Sequence, residues 1–207
     1  RYNADGTVDW LPLAHGQGPL TAANGFASQA DVLIERRIAA DLLGATKMDR
    51  PEAVEASPVR QKAYVILTNN TGGRTERADA VNPRAVNHFG HVIEMIPPGG
   101  DHAAATFRWE MLVRCGDPSV AEIGASFSGD TTRNGWFGMP DNIAFDSQGR
   151  LWIATDGNAK NSTGRCDGLW GVETEGAGRG TARHFFRVPV GAELCGPCFT
   201  PDDETLF

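Results

Sequence analysis

The stretch NIAFDSQGRLWI (Asn142–Ile153) aligns without a gap with GPCFTPDDETLF (Gly196–Phe207). Each half reads as a strand ending in Phe145 or Phe199, a short polar turn, and a second apolar strand in which Trp152 matches Leu206. A strand pair recurring at this interval is the mark of propeller blades. Each blade is one antiparallel sheet whose two faces are buried only against its neighbours. Five further runs carry the same strand texture, rich in Val, Ile, Phe, Leu and Trp between Gly, Pro, Asn and Asp. They are 63–69, 90–96, 106–113, 168–174 and 182–188. With 142–146 and 150–156 they give seven predicted strands. The class expected is all-β, a β-propeller, rather than a sandwich.

Helix is expected in one place only. Residues 26–43 carry Ser28 as an N-cap, an apolar stripe of Val32, Ile38, Leu42 and Leu43, and Gly44 as a stop. With no second helical pattern there are no βαβ units. The 207 residues would form part of a single propeller domain with 26–43 as an inserted helix. The chain starts at Arg1 without a Met and stops within an apolar run at Leu206-Phe207, so the expectation is a piece of a longer protein with blades missing on both sides.

Composition excludes several roles. The net charge of −7, with no Lys/Arg cluster, argues against a nucleic-acid partner. No apolar run is long enough to span a bilayer. The cysteines 115, 166, 195 and 198 have neither zinc-module spacing nor the density of a disulfide scaffold. Cys195-Gly-Pro-Cys198 copies the thioredoxin tetrad, but that chemistry needs the first thiol at a helix N-terminus. Here a Thr-Pro-Asp-Asp turn and a strand follow, so a redox role is not expected.

Four polar stretches could carry chemistry. ATKMDRPE (45–52) crowds Lys47, Asp49, Arg50 and Glu52 around a proline. The stretch 67–94 leaves one strand and enters the next through Asn69, Asn70, Arg74, Asn82, Arg84, Asn87 and His88. PDNIAFDSQGRLWIATDG (140–157) puts Asp141, Asn142 and Asp156 at strand ends, and VPVGAELCGPCF (188–199) puts Glu193 before a Gly-Pro turn. Any one Asn or Asp at such a place, taken singly, reads first as a solvated turn held by Asx hydrogen bonds. Converging on a propeller channel, the same residues would offer oxygen donors to a hard cation such as calcium. Arginine beside them would suit an oxyanion.

Taken together, RYNADGTVDWLPL, ATKMDRPE, NPRAVNHFGHVIE, PDNIAFDSQGRLWIATDG and PVGAELCGPCFTPDDETLF resemble the PhoX-type alkaline phosphatases, in the family's order and over nearly the whole chain. The resemblance implies a six-bladed propeller exported by the twin-arginine route to the periplasm or cell surface. It implies a phosphomonoesterase, monomeric at full length, acting on small phosphoesters through a calcium and iron cluster in its channel. Carried over, Glu52 and Glu193 would be metal ligands. Asp141, Asn142, Asp156, Asn69, Asn70 and Asn87 would be further ligand candidates. Arg84 or Lys47 would brace the transferred phosphoryl group, with a surface salt bridge as the plainer alternative. The family's upstream cysteine-bearing ligand segment has no counterpart here, so no cysteine is given its role. A calcium-dependent propeller lactonase or phosphotriesterase, or a non-catalytic metal-binding propeller, would also suit the strand pair at 142–156.

Overall fold

All seven predicted strands form, with ends shifted by one or two residues. The structure is a computed structural model and describes residues 1–72, 78–157 and 163–207. Strands β1 (Thr7–Asp9), β2 (Pro51–Ala56), β3 (Ala63–Leu67), β4 (His91–Ile96) and β5 (Thr106–Arg114) make one antiparallel sheet in the order β1-β5-β4-β3-β2. Strands β6 (Pro140–Phe145), β7 (Leu151–Thr155), β8 (Gly168–Val172) and β9 (Ala182–Arg187) make a second, in the order β6-β7-β8-β9. These are two consecutive blades of a propeller-like fold. β2 was hidden from pattern reading because Pro51, Glu52 and Glu55 break its alternation.

The blades stack through one apolar cluster. Tyr64 and Ile66 of the first sheet meet Leu151, Ile153 and Trp170 of the second, with Phe137 between them, all fully buried. Burying each such side chain stabilises the fold by about 1.5–3 kcal/mol, so each sheet is stabilised by the other. The repeat read from sequence has a physical counterpart. Phe145, on the first strand of the second blade, packs on Tyr64 of the blade before it, 5.4 Å between rings. Phe199 packs on Trp152 in the same sense, at 5.3 Å, and bridges to Leu206 as the start of a third strand pair. The aligned turn positions Gly149 and Asp203 both take the left-handed conformation, at φ 78° and 58°.

The predicted helix is two. α1 (Gln29–Ile34) and α2 (Arg36–Leu42) are separated by Glu35, whose φ −91° and ψ 34° break the helical path. Ser28 does cap the first, accepting from the Asp31 N–H at 3.3 Å. The break resets the facing side chains. Val32 and Ala39 enter a small core with Leu20 and Phe26, while Ile38 and Leu42, expected on the buried stripe, face outward.

Candidate metal centre

β2 and β6, the end strands of their sheets, lie side by side, and both carry a bulge. In β2, Pro51 pairs with Leu67 and Ala53 with Ile66, so Glu52 is the extra residue. In β6, Pro140 pairs with Thr155 and Ile143 with Ile153, so Asp141 and Asn142 together oppose Ala154. A bulge twists the strand and re-aims the side chain it carries. Here both bulges fall on carboxylates at the seam between blades. Asp156, at the end of β7, donates its N–H to the Met139 carbonyl and so stands beside the β6 bulge. The loop carrying Glu193 is tied to the same place by the Gly196 N–H, which donates to Asn142 Oδ1 at 2.9 Å.

Four carboxylates therefore share one field. Burial, with Glu52, Asp156 and Glu193 nearby, pushes the Asp141 carboxyl up to about 6, against the opposing pull of Arg50. Among the described residues no three His, Cys, Asp or Glu side chains are closed up into a coordination shell. The donors are all oxygen, which fits calcium. Iron finds no imidazole in this group. A nearby thiol, that of Cys195, donates its proton to Glu193 Oε1 at 2.9 Å. That bond, then burial and the Glu193, Asp141 and Asp156 charges, push the thiol up to about 11. No helix follows Cys195 and all four cysteines are free, so nothing of the thioredoxin setting is present.

The asparagines divide. Asn69 Oδ1 accepts from Arg50, and Asn142 holds the Glu193 loop, so both border the carboxylates. Asn70 and Asn87, expected as ligands, turn inward. Each donates its side-chain amide to the fully buried Asp49 at 2.9 Å, and Asn82 accepts the Asp49 N–H. Buried charge needs donors, and these asparagines supply them. Asn87 also receives Arg84 and the Gly90 N–H, while its Nδ2 faces His91 Nδ1 at 3.1 Å. The guanidinium of Arg84 is spent on the Ile123, Gly90 and Cys115 carbonyls. It clamps the loop rather than facing the carboxylates. Lys47, the other phosphoryl-bracing candidate, stands on the surface 4.0 Å from Asp41, its side chain 70% exposed. Arg74 lies outside the described residues.

Asp49 and Arg50 stood out in the sequence but were given no role there. The signal was present in ATKMDRPE, but which of its charges points inward depends on a turn. Arg50 has φ 49°, a left-handed conformation uncommon for a non-glycine residue. Its N–H donates to the Met48 carbonyl and its carbonyl accepts from Thr68. That turn sends Asp49 into the interior and Arg50 toward Glu52, on which its guanidinium donates at 3.0 Å.

Comparison with known proteins agrees with this architecture. No curated protein matches the chain. A solved structure, Pseudomonas fluorescens PhoX in complex with vanadate, a transition state analogue, superposes with a TM-score of 0.87 at 37% sequence identity. The match covers 97% of this chain and 35% of that one, so the chain spans about a third of the neighbour's length. The family model for alkaline phosphatase PhoX matches residues 1–207. The chain belongs to the PhoX alkaline phosphatase family.

Proposed function

We propose that this chain supplies one wall of the metal centre of a phosphomonoesterase, binding calcium through Glu52, Asp141, Asp156 and Glu193. The observation that carries the reading is the convergence of four carboxylates from two bulges, a strand end and a loop, with the Asp141 carboxyl pushed up to about 6. Mutual repulsion among clustered carboxylates favours a cation between them. Phosphatase chemistry is supported by the family and by the neighbour, whose bound vanadate is a transition-state analogue.

In this reading each residue has a distinct task. The four carboxylates bind and hold the cation. Asn69 and Asn142 orient the two sides of the site through Arg50 and the Glu193 loop. Asp49 and its asparagines fix the turn from which Glu52 projects. When bound, calcium would neutralise phosphate oxygens and set the substrate in place. Iron, implied by the resemblance, would need donors beyond those described.

Thermal melting with calcium and with chelator tests cation binding without relying on turnover. Calcium at about 100 times its Kd stabilises by about 2.7 kcal/mol, so the melting temperature should rise and return on chelation. Asp141→Asn and Glu193→Gln should each reduce that rise while the metal-free protein stays folded. The intact protein should also hydrolyse p-nitrophenyl phosphate in a chelator-sensitive way. A calcium-indifferent melt together with chelator-resistant hydrolysis would sink the reading.

A further inference from the structure

Away from the four carboxylates, the second blade concentrates positive charge in a chain whose net charge is −7. Arg133 and Arg165 line a cavity of about 610 Å³, together with Asp117, Thr131, Thr132 and Trp136. The Arg187 charge acts on Arg165 from β9. Among the described residues none of these three arginines forms an ion pair. We propose that this cavity binds a phosphate dianion, free or at the end of a phosphomonoester. The site shares no residue with the calcium reading above and does not depend on it.

The two lining arginines divide the work. Arg165 is fixed. Its Nη1 donates to the Trp136 carbonyl at 2.8 Å and the Asn134 carbonyl at 3.2 Å, and its Nη2 to the Arg133 carbonyl at 2.8 Å. Its guanidinium carbon lies 3.7 Å from the centre of the Trp136 ring. Carbonyls satisfy N–H groups without neutralising the charge. Burial pushes the Arg165 pKa down, the Arg187 and Arg133 charges push it the same way, and Asp117 opposes them. A bound dianion would relieve that repulsion. Arg133 is exposed, and among the described residues its side chain has neither hydrogen bond nor ion pair. Its fork is therefore available for paired phosphate oxygens. Its backbone is held by the Arg165 bond and by the Gly135 N–H, which donates to the Thr132 carbonyl at 2.8 Å.

Placement and size narrow the ligand. Arg133 and Trp136 precede β6, and Arg165 precedes β8. In an antiparallel sheet the starts of β6 and β8 and the end of β7 stand together, so the cavity lies at the end of the blade that carries Asp141 and Asp156. An anion drawn to it is drawn to the carboxylate end. The volume leaves room for an organic group beside the phosphate. Asp117 is the opposing charge. Burial alone would raise its carboxyl, yet bonds from Ser119 and the Arg165 and Arg133 charges hold it below the usual range. It limits affinity without reversing the sign of the cavity.

The test titrates the intact protein with inorganic phosphate by isothermal calorimetry, with chloride balancing ionic strength. A repeat in excess chelator separates this site from phosphate held through a cation. The chelator-resistant binding should weaken roughly 10-fold to 100-fold in Arg133→Gln. It should strengthen about 3-fold in Asp117→Asn, which removes a like charge. A folding defect cannot produce that gain. Phenylphosphonate identifies the source: binding equal to or tighter than phosphate assigns a phosphomonoester, and weaker binding assigns free phosphate. Phosphate affinity identical in wild type and Arg133→Gln would overturn the site. So would phosphate binding that vanishes with chelator while the circular dichroism spectrum is retained.

Discussion

A thiol beside a carboxylate is a poor nucleophile, because ionising it places two negative charges together. Cys195 is exposed, yet its hydrogen bond to Glu193 holds the proton on sulfur. Iodoacetamide at pH 8 should therefore modify Cys195 roughly 10- to 100-fold more slowly than an unperturbed thiol, since the thiolate reacts. Glu193→Gln should recover most of that rate, as read by mass spectrometry of the peptide. An unchanged rate would mean that the bond does not govern the thiol. His91 shows the opposite sign of perturbation. Burial, aided by the Arg84 charge, pushes its imidazole down to about 4. The unfolded chain takes up that proton near pH 6.5 while the folded one does not. The stability it supports is full above about pH 6.5 and falls as pH drops toward 4, by at most about 1.4 kcal/mol per pH unit. Urea denaturation at pH 7 and pH 5 should show the loss, and His91→Asn should flatten it.

At the scale of elements, the site depends on irregularity. Two regular strands side by side would set alternate side chains on fixed faces. The bulges at Glu52 and Asp141-Asn142 turn carboxylates into the seam instead. Entry into β4 is as constrained. Gly90 has φ 74°, and a Cβ there would lie 2.3 Å from the Leu67 carbonyl oxygen and 2.4 Å from that of Thr68. Gly90→Ala should cost on the order of 3 kcal/mol, because backbone on both sides must move. It should also loosen the Asn87 contacts that hold Asp49, so the calcium shift should weaken along with the fold. Differential scanning calorimetry with and without calcium measures both. Of these elements, β4 and β6 were legible in sequence because runs of β-branched and aromatic residues between turn formers have few other uses, whereas β2 was not. The bulges were not, since an extra residue in a strand leaves no mark in composition.

At the scale of the molecule, the two blades are joined by charge as well as by apolar packing. Glu94 of β4 is almost fully buried and accepts from Tyr64 Oη at 2.7 Å, Lys62 Nζ at 3.2 Å and Arg179 at 2.9 Å, the last from the second blade. Lys62 also reaches Glu175 across the seam, at 2.6 Å. Glu94→Ala should destabilise by about 2–3 kcal/mol. The figure stays moderate because Lys62 and Arg179 are partly exposed and can turn back to water. Guanidinium denaturation should show this loss as a fall in midpoint. If the seam opens before the sheets melt, the transition should also broaden.

The sequence by itself determined the all-β class, the repeat from 142 to 196, seven of the nine strands described, β1 and β2 excepted, and the carboxylates Glu52, Asp141, Asp156 and Glu193 among the residues to watch. Those features are local, written in periodicity and in short motifs whose residue types have restricted chemistry. Only the tertiary structure decided how the polar residues divide. Asn70 and Asn87 went to a buried Asp49, Arg84 to backbone carbonyls, and Arg50 to the carboxylates, although all sit in stretches of similar composition. The physical reason is that a polar side chain takes whichever unsatisfied partner the fold brings within about 3 Å. In this chain those partners are up to tens of residues away in sequence. The left-handed turn at Arg50 and the bulges beside the seam set those distances.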